Sequence, residues 1–368
     1  MKVVCSKENL MKGLNTVKSA VPVRTTMDIL RCVLLEAEEN TLKLTANDTS
    51  LGIETKLDAM VTESGCIAIE SNLFYSIIQK LPDEDVLIET GYQYEISIRS
   101  GSANLVISGM DPNQFITVPN VEAEGEVSVS QLIFREMIRK VIFSISDTNL
   151  NAAMSGVYLE VLNDKIRMTT LDGHRISIRN NELENDFGTH NAIIPGKTMN
   201  DLQKIISGEF EKKMRILFAR NYIIFLYDTT KVVSRVIDGD YFKIDSMLRD
   251  EYETHVRINK KRFLDCLDRS TLLINESDKK PIILDIRDEE VNMRLKSQRG
   301  SMNESIDIEK DGKDLKIAFN PKLLMDALRV IEDEEVDIYL VKYNYPCTVK
   351  NAEDTYKYVI LPVNFTEE

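Results

Sequence analysis

The sequence is poor in the residues that most often build catalytic and metal sites. Its 368 residues include three histidines (His174, His190 and His255) and five cysteines, none of them in a Cys-x-x-Cys pair. It has no His-Glu-x-x-His segment, no Cys/His cluster and no EF-hand loop, which excludes the common metal sites and predicts no cofactor. Most cysteines stand among apolar neighbours, which predicts small buried side chains in a reducing compartment.

Long apolar runs are also absent. No stretch approaches the ~18 consecutive apolar residues of a membrane helix, and residues 1–13 hold no apolar run long enough for a signal peptide. We therefore expect a soluble, cytoplasmic protein with no membrane partner. Hydrophobic residues make up 43% of the chain and charged residues 29%, an ordinary globular balance. The net charge of −14 argues against the basic domain that usually marks nucleic-acid binding.

What the sequence does have is internal repetition. Near residues 3, 127 and 256, a short alternating stretch leads to a polar residue and then to apolar residues at helical spacing. A second such pattern surrounds Ile69, Ile194 and Phe319, which stand at equal intervals. Because the interval is as long as a domain, it predicts three copies of one domain rather than a solenoid. Chains of this kind usually form a surface or an enclosure.

Each copy shows the pattern of a helix, several strands, a second helix and further strands, with turn residues between the strands. The predicted fold class is α+β, with three tandem copies of a two-helix, antiparallel-sheet domain. The predicted domains are residues 1–120, 127–249 and 255–368. Short acidic links at 120–126 and 249–255 join them.

Two segments suggest an enzyme as the alternative from another functional class. Asp172, His174 and Lys197 could serve a hydrolase or a nucleotide-using enzyme. Asp172 and Gly173 lie between two strand patterns, however, and Asp-Gly there is a hairpin-turn signal. The Gly-Lys-Thr segment at 196–198 lacks the upstream glycine that a phosphate loop needs, and it matches the start of a repeated helix. We therefore predict no catalytic residue, and a monomeric scaffold is a third alternative.

The distribution of charge is more informative than its sum. All six predicted helices carry at least one Lys or Arg, whereas the acidic residues concentrate in the loops. If the six helices face the same way, the protein has one basic side and one acidic side. No groove-reading motif accompanies the cations, so recognition of particular bases is not indicated.

Taken together, these features make the whole chain resemble the bacterial sliding clamp, the beta subunit of DNA polymerase III. The resemblance rests on the threefold repeat and on the order of several short segments. These are T-L-D-G-H-R at 170–175, V-I-D-G at 236–239, Asn275-Glu276, Phe319-Asn320 and Y-V-I-L-P-V at 358–363. It implies the DNA clamp fold, a head-to-tail dimeric ring with helices inside and sheets outside. It also implies a processivity factor without enzymatic activity or cofactor, which encircles duplex DNA.

The resemblance further implies three sets of site residues and several partners. The partners are the replicative DNA polymerase, the clamp loader and other proteins with a clamp-binding motif. The peptide pocket for them would use Met154, Leu171, Gly173, His174, Arg175, Ile176, Phe242, Met247, Pro346, Val359, Ile360, Leu361, Pro362 and Val363. The DNA-facing residues would be Lys12, Arg24, Arg135, Arg139, Lys197 and Lys204. The seam of the homodimer would join Leu105 and Ile107 to Leu272 and Leu273.

Two positions in the pocket region depart from the family pattern. Phe242 stands where the family often has proline, and Ser246 stands where it often has arginine. The preference for peptide sequences is therefore expected to differ from that of other members.

Overall fold

The computed structural model describes residues 1–146, 151–246, 248, 251–275 and 280–365. The chain forms two compact units, unit 1 (Met1–Phe134 and Asn200–Val236) and unit 2 (Arg135–Met199 and Ile237–Glu368). Within the described ranges there are six α-helices and twenty-five strands.

The six helices begin where a strand ends, as the repeat predicts. They are α1 (Lys7–Val17), α2 (Ser71–Lys80), α3 (Gln131–Arg139), α4 (Gly196–Ile205), α5 (Lys260–Thr271) and α6 (Pro321–Val330). A polar side chain at the junction caps four of them, because the first N–H groups of a helix have no partner within it. Ser6 accepts from Asn9 N, and Asn259 accepts from Arg262 N. Glu70 and Asn320 cap α2 and α6 in the same way.

The strands of the first copy are β1 (Lys2–Ser6), β2 (Cys32–Glu38), β3 (Thr41–Asn47), β4 (Leu51–Asp58), β5 (Met60–Glu63), β6 (Gly65–Glu70), β7 (Asp85–Thr90), β8 (Glu95–Ser100) and β9 (Ala103–Ser108). Those of the second are β10 (Gly125–Ser130), β11 (Gly156–Leu162), β12 (Lys165–Leu171), β13 (Arg175–Glu182), β14 (Thr189–Pro195), β15 (Lys213–Ala219), β16 (Tyr222–Tyr227) and β17 (Thr230–Arg235). Those of the third are β18 (Thr254–Asn259), β19 (Ile282–Arg287), β20 (Glu290–Ser297), β21 (Gly300–Gly312), β22 (Leu315–Phe319), β23 (Glu335–Leu340), β24 (Cys347–Lys350) and β25 (Tyr356–Ile360).

Unit 1 contains two antiparallel sheets. The five-stranded sheet has the order β5-β1-β7-β8-β9, and the eight-stranded sheet has the order β10-β15-β16-β17-β4-β3-β2-β6. The pairing of β17 with β4, in which Val232 lies opposite Ile53, joins strands of the second copy to strands of the first. One continuous sheet thus includes two sequence repeats.

Unit 2 contains a twelve-stranded sheet with the order β14-β11-β12-β13-β25-β24-β23-β18-β21-β20-β19-β22. Here β13 of the second copy pairs with β25 of the third, and Ile176 lies opposite Val359. Because β25 is close to the end of the sequence, this pairing brings the C-terminal segment beside the hairpin of β12 and β13.

The buried face of α2 follows the spacing of its apolar residues. Phe74, Ile77 and Ile78 are buried, whereas Leu73 is 45% exposed. Val21 lies beyond α1, after the 3-10 turn Lys18–Ala20.

Candidate functional site

An apolar cavity of about 370 Å³ opens in unit 2 where β12, β13 and the end of β25 meet. Nine of the residues predicted for the peptide pocket line it: Met154, Leu171, Gly173, Arg175, Ile176, Phe242, Pro346, Val359 and Leu361. The sheet register explains the arrangement, since Leu171 lies opposite Ile176 and Ile176 lies opposite Val359. Three apolar side chains on neighbouring strands therefore form the floor on one face of the sheet.

The turn between β12 and β13 forms the rim. Asp172 Oδ1 accepts hydrogen bonds from His174 N (2.9 Å) and Arg175 N (3.1 Å), which is an Asx turn. Gly173 has φ +88°, and a Cβ atom there would meet no heavy atom within 4 Å. Glycine is therefore favoured by the backbone conformation and not by a lack of space. The hairpin predicted at Asp-Gly is confirmed.

Arg175 braces the pocket wall with a guanidinium whose donors are largely occupied. Its Nε donates to Asp172 Oδ2 (2.9 Å), Nη1 to Asp326 Oδ2 (2.7 Å) and Nη2 to Phe143 O (2.7 Å). The side chain is 11% exposed and lies over the Phe143 ring. Breaking a buried pair of this kind by removing one partner is strongly destabilising. Arg175 therefore holds the turn to α6, and its charge is already matched by two carboxylates.

An aromatic row lies behind Phe242. Tyr158 of β11 stacks on Tyr241 at 4.6 Å and 7°, and Tyr241 meets Phe242 edge to face at 5.7 Å. Tyr241 and Phe242 pack around Leu171 and Ile178, which places Phe242 against the cavity. Offset and edge-to-face pairs of this type add ~0.5–1.5 kcal/mol each beyond burial. The resemblance did not indicate Tyr158 or Tyr241, and the only signal in the sequence was the aromatic pair at 241–242.

Four other residues predicted for the pocket do not line the cavity. Ile360 is 1% exposed and belongs to the hydrophobic core of the third copy, because side chains alternate along β25. It is therefore not part of the cavity wall. His174, Pro362 and Val363 adjoin the cavity along the chain without lining it, and the Val363 N–H donates to Ala318 O (2.8 Å). Met247 lies outside the described residues.

The DNA-facing residues fall into two classes. Lys12 and Arg24 are exposed and Arg135 is half-buried, and none of the three forms an ion pair with another described residue. By contrast, Arg139 forms ion pairs with Glu136 (2.6 Å) and Glu332 (2.7 Å), so carboxylates already match the charge of this predicted DNA-facing residue. Lys204 reaches Asp201 at 3.3 Å but stays 70% exposed, and Lys197 is exposed at the start of α4.

The residues predicted for the dimer seam lie at two separate surfaces. Leu105 and Ile107 are half-buried on β9, an edge strand of the five-stranded sheet. An edge strand presents unpaired backbone groups that can pair with another chain. Leu272 is 73% exposed at the end of α5, whereas Leu273 packs partly against the core of the third copy.

The enzyme alternative finds little support in this geometry. The Asp172 carboxylate is committed to its own turn and to Arg175, and His174 is exposed. Cys266 and Cys347 are no better placed, because burial raises the pKa of each thiol to about 12. Among residues whose positions are described, no group of three or more His, Cys, Asp or Glu could hold a metal ion.

The search for membrane-spanning helices found none among the described residues.

Family comparisons agree with this arrangement over nearly the whole chain. The N-terminal domain of the DNA polymerase III beta subunit matches residues 1–119, the central domain matches 128–243 and the C-terminal domain matches 245–364. The chain belongs to the DNA polymerase III beta subunit family. The prediction of three tandem clamp domains is therefore confirmed, while the boundaries given above remain predictions.

Individual relatives match from end to end. The beta sliding clamp of Staphylococcus epidermidis is 29% identical over 374 residues, which cover 99% of each chain. The crystal structure of a DNA polymerase III beta subunit from Eubacterium rectale is 48% identical, covers 99% of each chain and has a TM-score of 0.96. That of the DNA polymerase sliding clamp from Bacillus subtilis is 27% identical, covers 100% of each chain and has a TM-score of 0.95.

Proposed function

We propose that this chain forms a closed homodimeric ring around duplex DNA and tethers DNA-processing proteins through the cavity at Leu171, Ile176 and Val359. Membership of the family makes it a sliding clamp, a processivity factor rather than an enzyme. The observation that carries the tethering role is the apolar cavity itself. The replicative polymerase, the clamp loader and other proteins with a clamp-binding motif are the proposed partners, in the cytoplasm.

The chemistry of the cavity favours a peptide with hydrophobic anchors. Its volume of about 370 Å³ lies in the usual range for ligand sites, and its wall is almost wholly apolar. Arg175 is already ion-paired with Asp172 and Asp326, so a peptide carboxylate would add little binding energy there. Affinity would then come from burying leucine and aromatic side chains against Phe242 and Val359.

Replacing Phe242 by alanine tests the pocket. We expect the variant to bind a labelled nonapeptide with leucine and phenylalanine anchors about tenfold or more weakly by fluorescence anisotropy, because aromatic anchors dominate such contacts. Tyr92→Ala removes an aromatic ring that is 85% exposed in unit 1 and serves as the control. Equal affinity of the Phe242 variant and the unaltered chain would refute the pocket.

The homodimer follows from two unlike surfaces that meet head to tail. Two copies would each place the β9 edge, with Leu105 and Ile107, against Leu272 and Leu273 of the other. Such a heterologous contact gives a ring only when the rotation from each copy to the next leads back to the first copy. With two copies, two identical seams would complete the ring. Leu272, at 73% exposed, is the kind of apolar residue that an assembly buries.

Light scattering should give a mass near twice 42.0 kDa. Leu272→Asp should shift the equilibrium towards the monomer and shorten retention on nicked circular DNA. Leu162→Asp, at a 45% exposed leucine of β11 outside the proposed seam, is the matched control. A monomer at micromolar concentration that also leaves circular DNA at once would contradict the ring, whatever the peptide assay shows.

A further inference from the structure

One face of the eight-stranded sheet in unit 1 carries a row of cations that neither the pocket nor the helices use. The register sets Glu54 opposite Lys231, Lys231 opposite Leu226, Leu226 opposite Arg215 and Arg215 opposite Ser128. These side chains form one line across β4, β17, β16, β15 and β10. The sheet thus places residues from distant parts of the chain side by side.

A second line of cations runs beside the first. Lys43 of β3 lies directly opposite Lys56 of β4, and Lys213 stands two residues before Arg215 on β15. Like charges directly opposite each other destabilise a sheet. Lys56 is exposed and forms no ion pair with any residue in the described ranges. That repulsion is offset in part, because Lys43 also pairs with Glu36.

The two lines surround a groove of about 680 Å³. Its lining includes Lys43, Lys56, Lys213, Arg215 and Lys231, together with Glu54, Asp228, Leu226 and the hydroxyl residues Ser128, Thr229 and Thr230. Five cations line the groove, against Glu54 and Asp228 in the lining and Glu36 and Glu126 at the margin, so a small positive excess remains in a chain whose net charge is −14. An anionic ligand would be repelled by much of the surface and attracted here.

Several of the cations already have carboxylate neighbours at the margin. Lys43 Nζ lies 2.6 Å from Glu36, and Lys231 lies 3.9 Å from Glu54. Arg215 Nη2 donates to Glu126 (2.8 Å), and the hydrogen bond from Arg215 is the main cause that lowers the pKa of Glu126. The Arg215–Glu126 pair is exposed and the other two are half-buried, and ion pairs that solvent reaches are weak. A bound carboxylate could replace them without leaving a buried charge.

We propose that this groove, the basic sheet groove, binds an extended acidic peptide segment of a partner protein. A peptide in strand conformation presents side chains on one face every ~6.6–6.8 Å, which is also the spacing of Lys213 and Arg215 along β15. A partner peptide that lies along β15 can place its acids opposite Lys213 and Arg215, with Lys56 across the groove, and its neutral side chains opposite Glu54 and Asp228. A nucleic-acid strand carries a charge at every phosphate and would meet those two carboxylates.

The test compares the full-length chain with Lys56→Glu/Lys213→Glu and with the control Lys165→Glu, an exposed strand lysine of unit 2. The probe is a fluorescein-labelled (Glu-Ser)₆ peptide, with (Gln-Ser)₆ and a single-stranded 12-mer DNA as competitors. We expect the double variant to bind the acidic peptide at least tenfold more weakly, the control to stay within twofold, and salt to weaken binding. Circular dichroism checks that both variants fold.

The proposal would be overturned by equal binding of the neutral peptide, by equal weakening in Lys165→Glu, or by no measurable binding of the acidic peptide to the unaltered chain at low salt. Stronger competition by the DNA than by the acidic peptide would also overturn it, and would assign the groove to nucleic acid. Phe242→Ala should leave this binding unchanged, so the result does not depend on the apolar pocket.

Discussion

The helix pair of the first copy and that of the third begin with similar sequences, but their Lys and Arg side chains differ in ion pairing. In the first copy, Lys12 of α1 and Lys80 of α2 are exposed, as is Arg24 beyond α1. None of these three has an ion-pair partner among the described residues. Their charge is therefore directed to solvent, where a phosphate could approach it.

In the third copy the arginines are matched by carboxylates. Arg262 lies 2.8 Å from Asp307, and Arg269 bonds both carboxylate oxygens of Glu304. Arg329 of α6 lies 3.8 Å from Asp268. Lys261 and Lys322 stay exposed. The third helix pair therefore presents fewer uncompensated charges than its sequence indicates.

One lysine has the same structural role in both copies. Lys7 Nζ donates to Leu81 O (2.6 Å) after α2, and Lys260 Nζ donates to Ile331 O (2.8 Å) after α6. Each first helix thus caps the C-terminal carbonyls of its companion. The comparison teaches that repeated cations do not amount to repeated phosphate contacts, since some of them stabilise the fold and others are neutralised.

The largest effect is expected from removing the unpaired charges of the first copy. Lys12→Ala/Arg24→Ala/Lys80→Ala should lower the slope of log affinity against log salt for duplex DNA by up to about 3, because each phosphate contact contributes ~0.9. Anisotropy with a short duplex at several salt concentrations measures this slope.

The matched control deletes ion pairs of the third copy as whole pairs. Arg262→Ala/Asp307→Ala with Arg269→Ala/Glu304→Ala leaves the net charge unchanged and should alter DNA affinity by less than about twofold, since compensated charges release few counterions. If both sets weaken binding equally, the distinction between the two helix pairs is wrong.

The helix starts could be predicted from the sequence, whereas the strand pairings between copies could not. The strand-to-helix junctions at Ser6, Glu70, Asn259 and Asn320 are local, because a cap and the spacing of apolar residues lie within a few positions. The pairings of β17 with β4 and of β13 with β25 are not local, and the repeat alone gives no information about them.

The candidate site shows the same limit. Its residues could be transferred from the resemblance, and nine of those named line one cavity. The neutralisation of Arg139 depends on Glu332, and the brace on Arg175 depends on Asp326, both distant in sequence. Counting the cations of the helices does not show which of them are ion-paired, because ion pairing depends on the packed structure.

A smaller effect, in the opposite direction, should follow from releasing the third-copy arginines. Glu304→Gln/Asp307→Asn removes the partners of Arg269 and Arg262 and should raise DNA affinity about threefold to tenfold, with a steeper salt dependence. The same assay measures it. Glu289→Gln/Glu353→Gln, which neutralises two exposed acids of the third copy, is the control for net charge. An unchanged affinity would mean that these arginines do not reach DNA even when free.

The capping lysines should affect stability equally in both copies. Lys7→Met and Lys260→Met each remove a charged donor from a helix-end carbonyl and should cost about 1–2 kcal/mol locally. Hydrogen exchange of the last-turn amides of α2 and α6 reports this opening. Lys12→Met and Lys261→Met, which remove exposed lysines of the same helices, should leave exchange unchanged. A loss in only one copy would show that the two helix pairs differ in structure as well as in charge.

The smallest effect is the pH dependence of the Glu304–Arg269 pair. The hydrogen bond from Arg269 is the main cause that lowers the pKa of Glu304. A carboxyl whose pKa is lowered on folding stabilises the native state above its ordinary pKa of ~4.3 and loses that contribution as the pH falls through the folded value. The pair is partly exposed, so solvent screening limits the loss to a few tenths up to ~1 kcal/mol. As the pH is lowered from ~6 to ~3, the midpoint temperature of thermal unfolding should therefore fall more for the unaltered chain than for Glu304→Gln. Lys12→Gln, which removes a lysine without a carboxylate partner, should follow the unaltered profile, and parallel curves for all three proteins would refute the contrast.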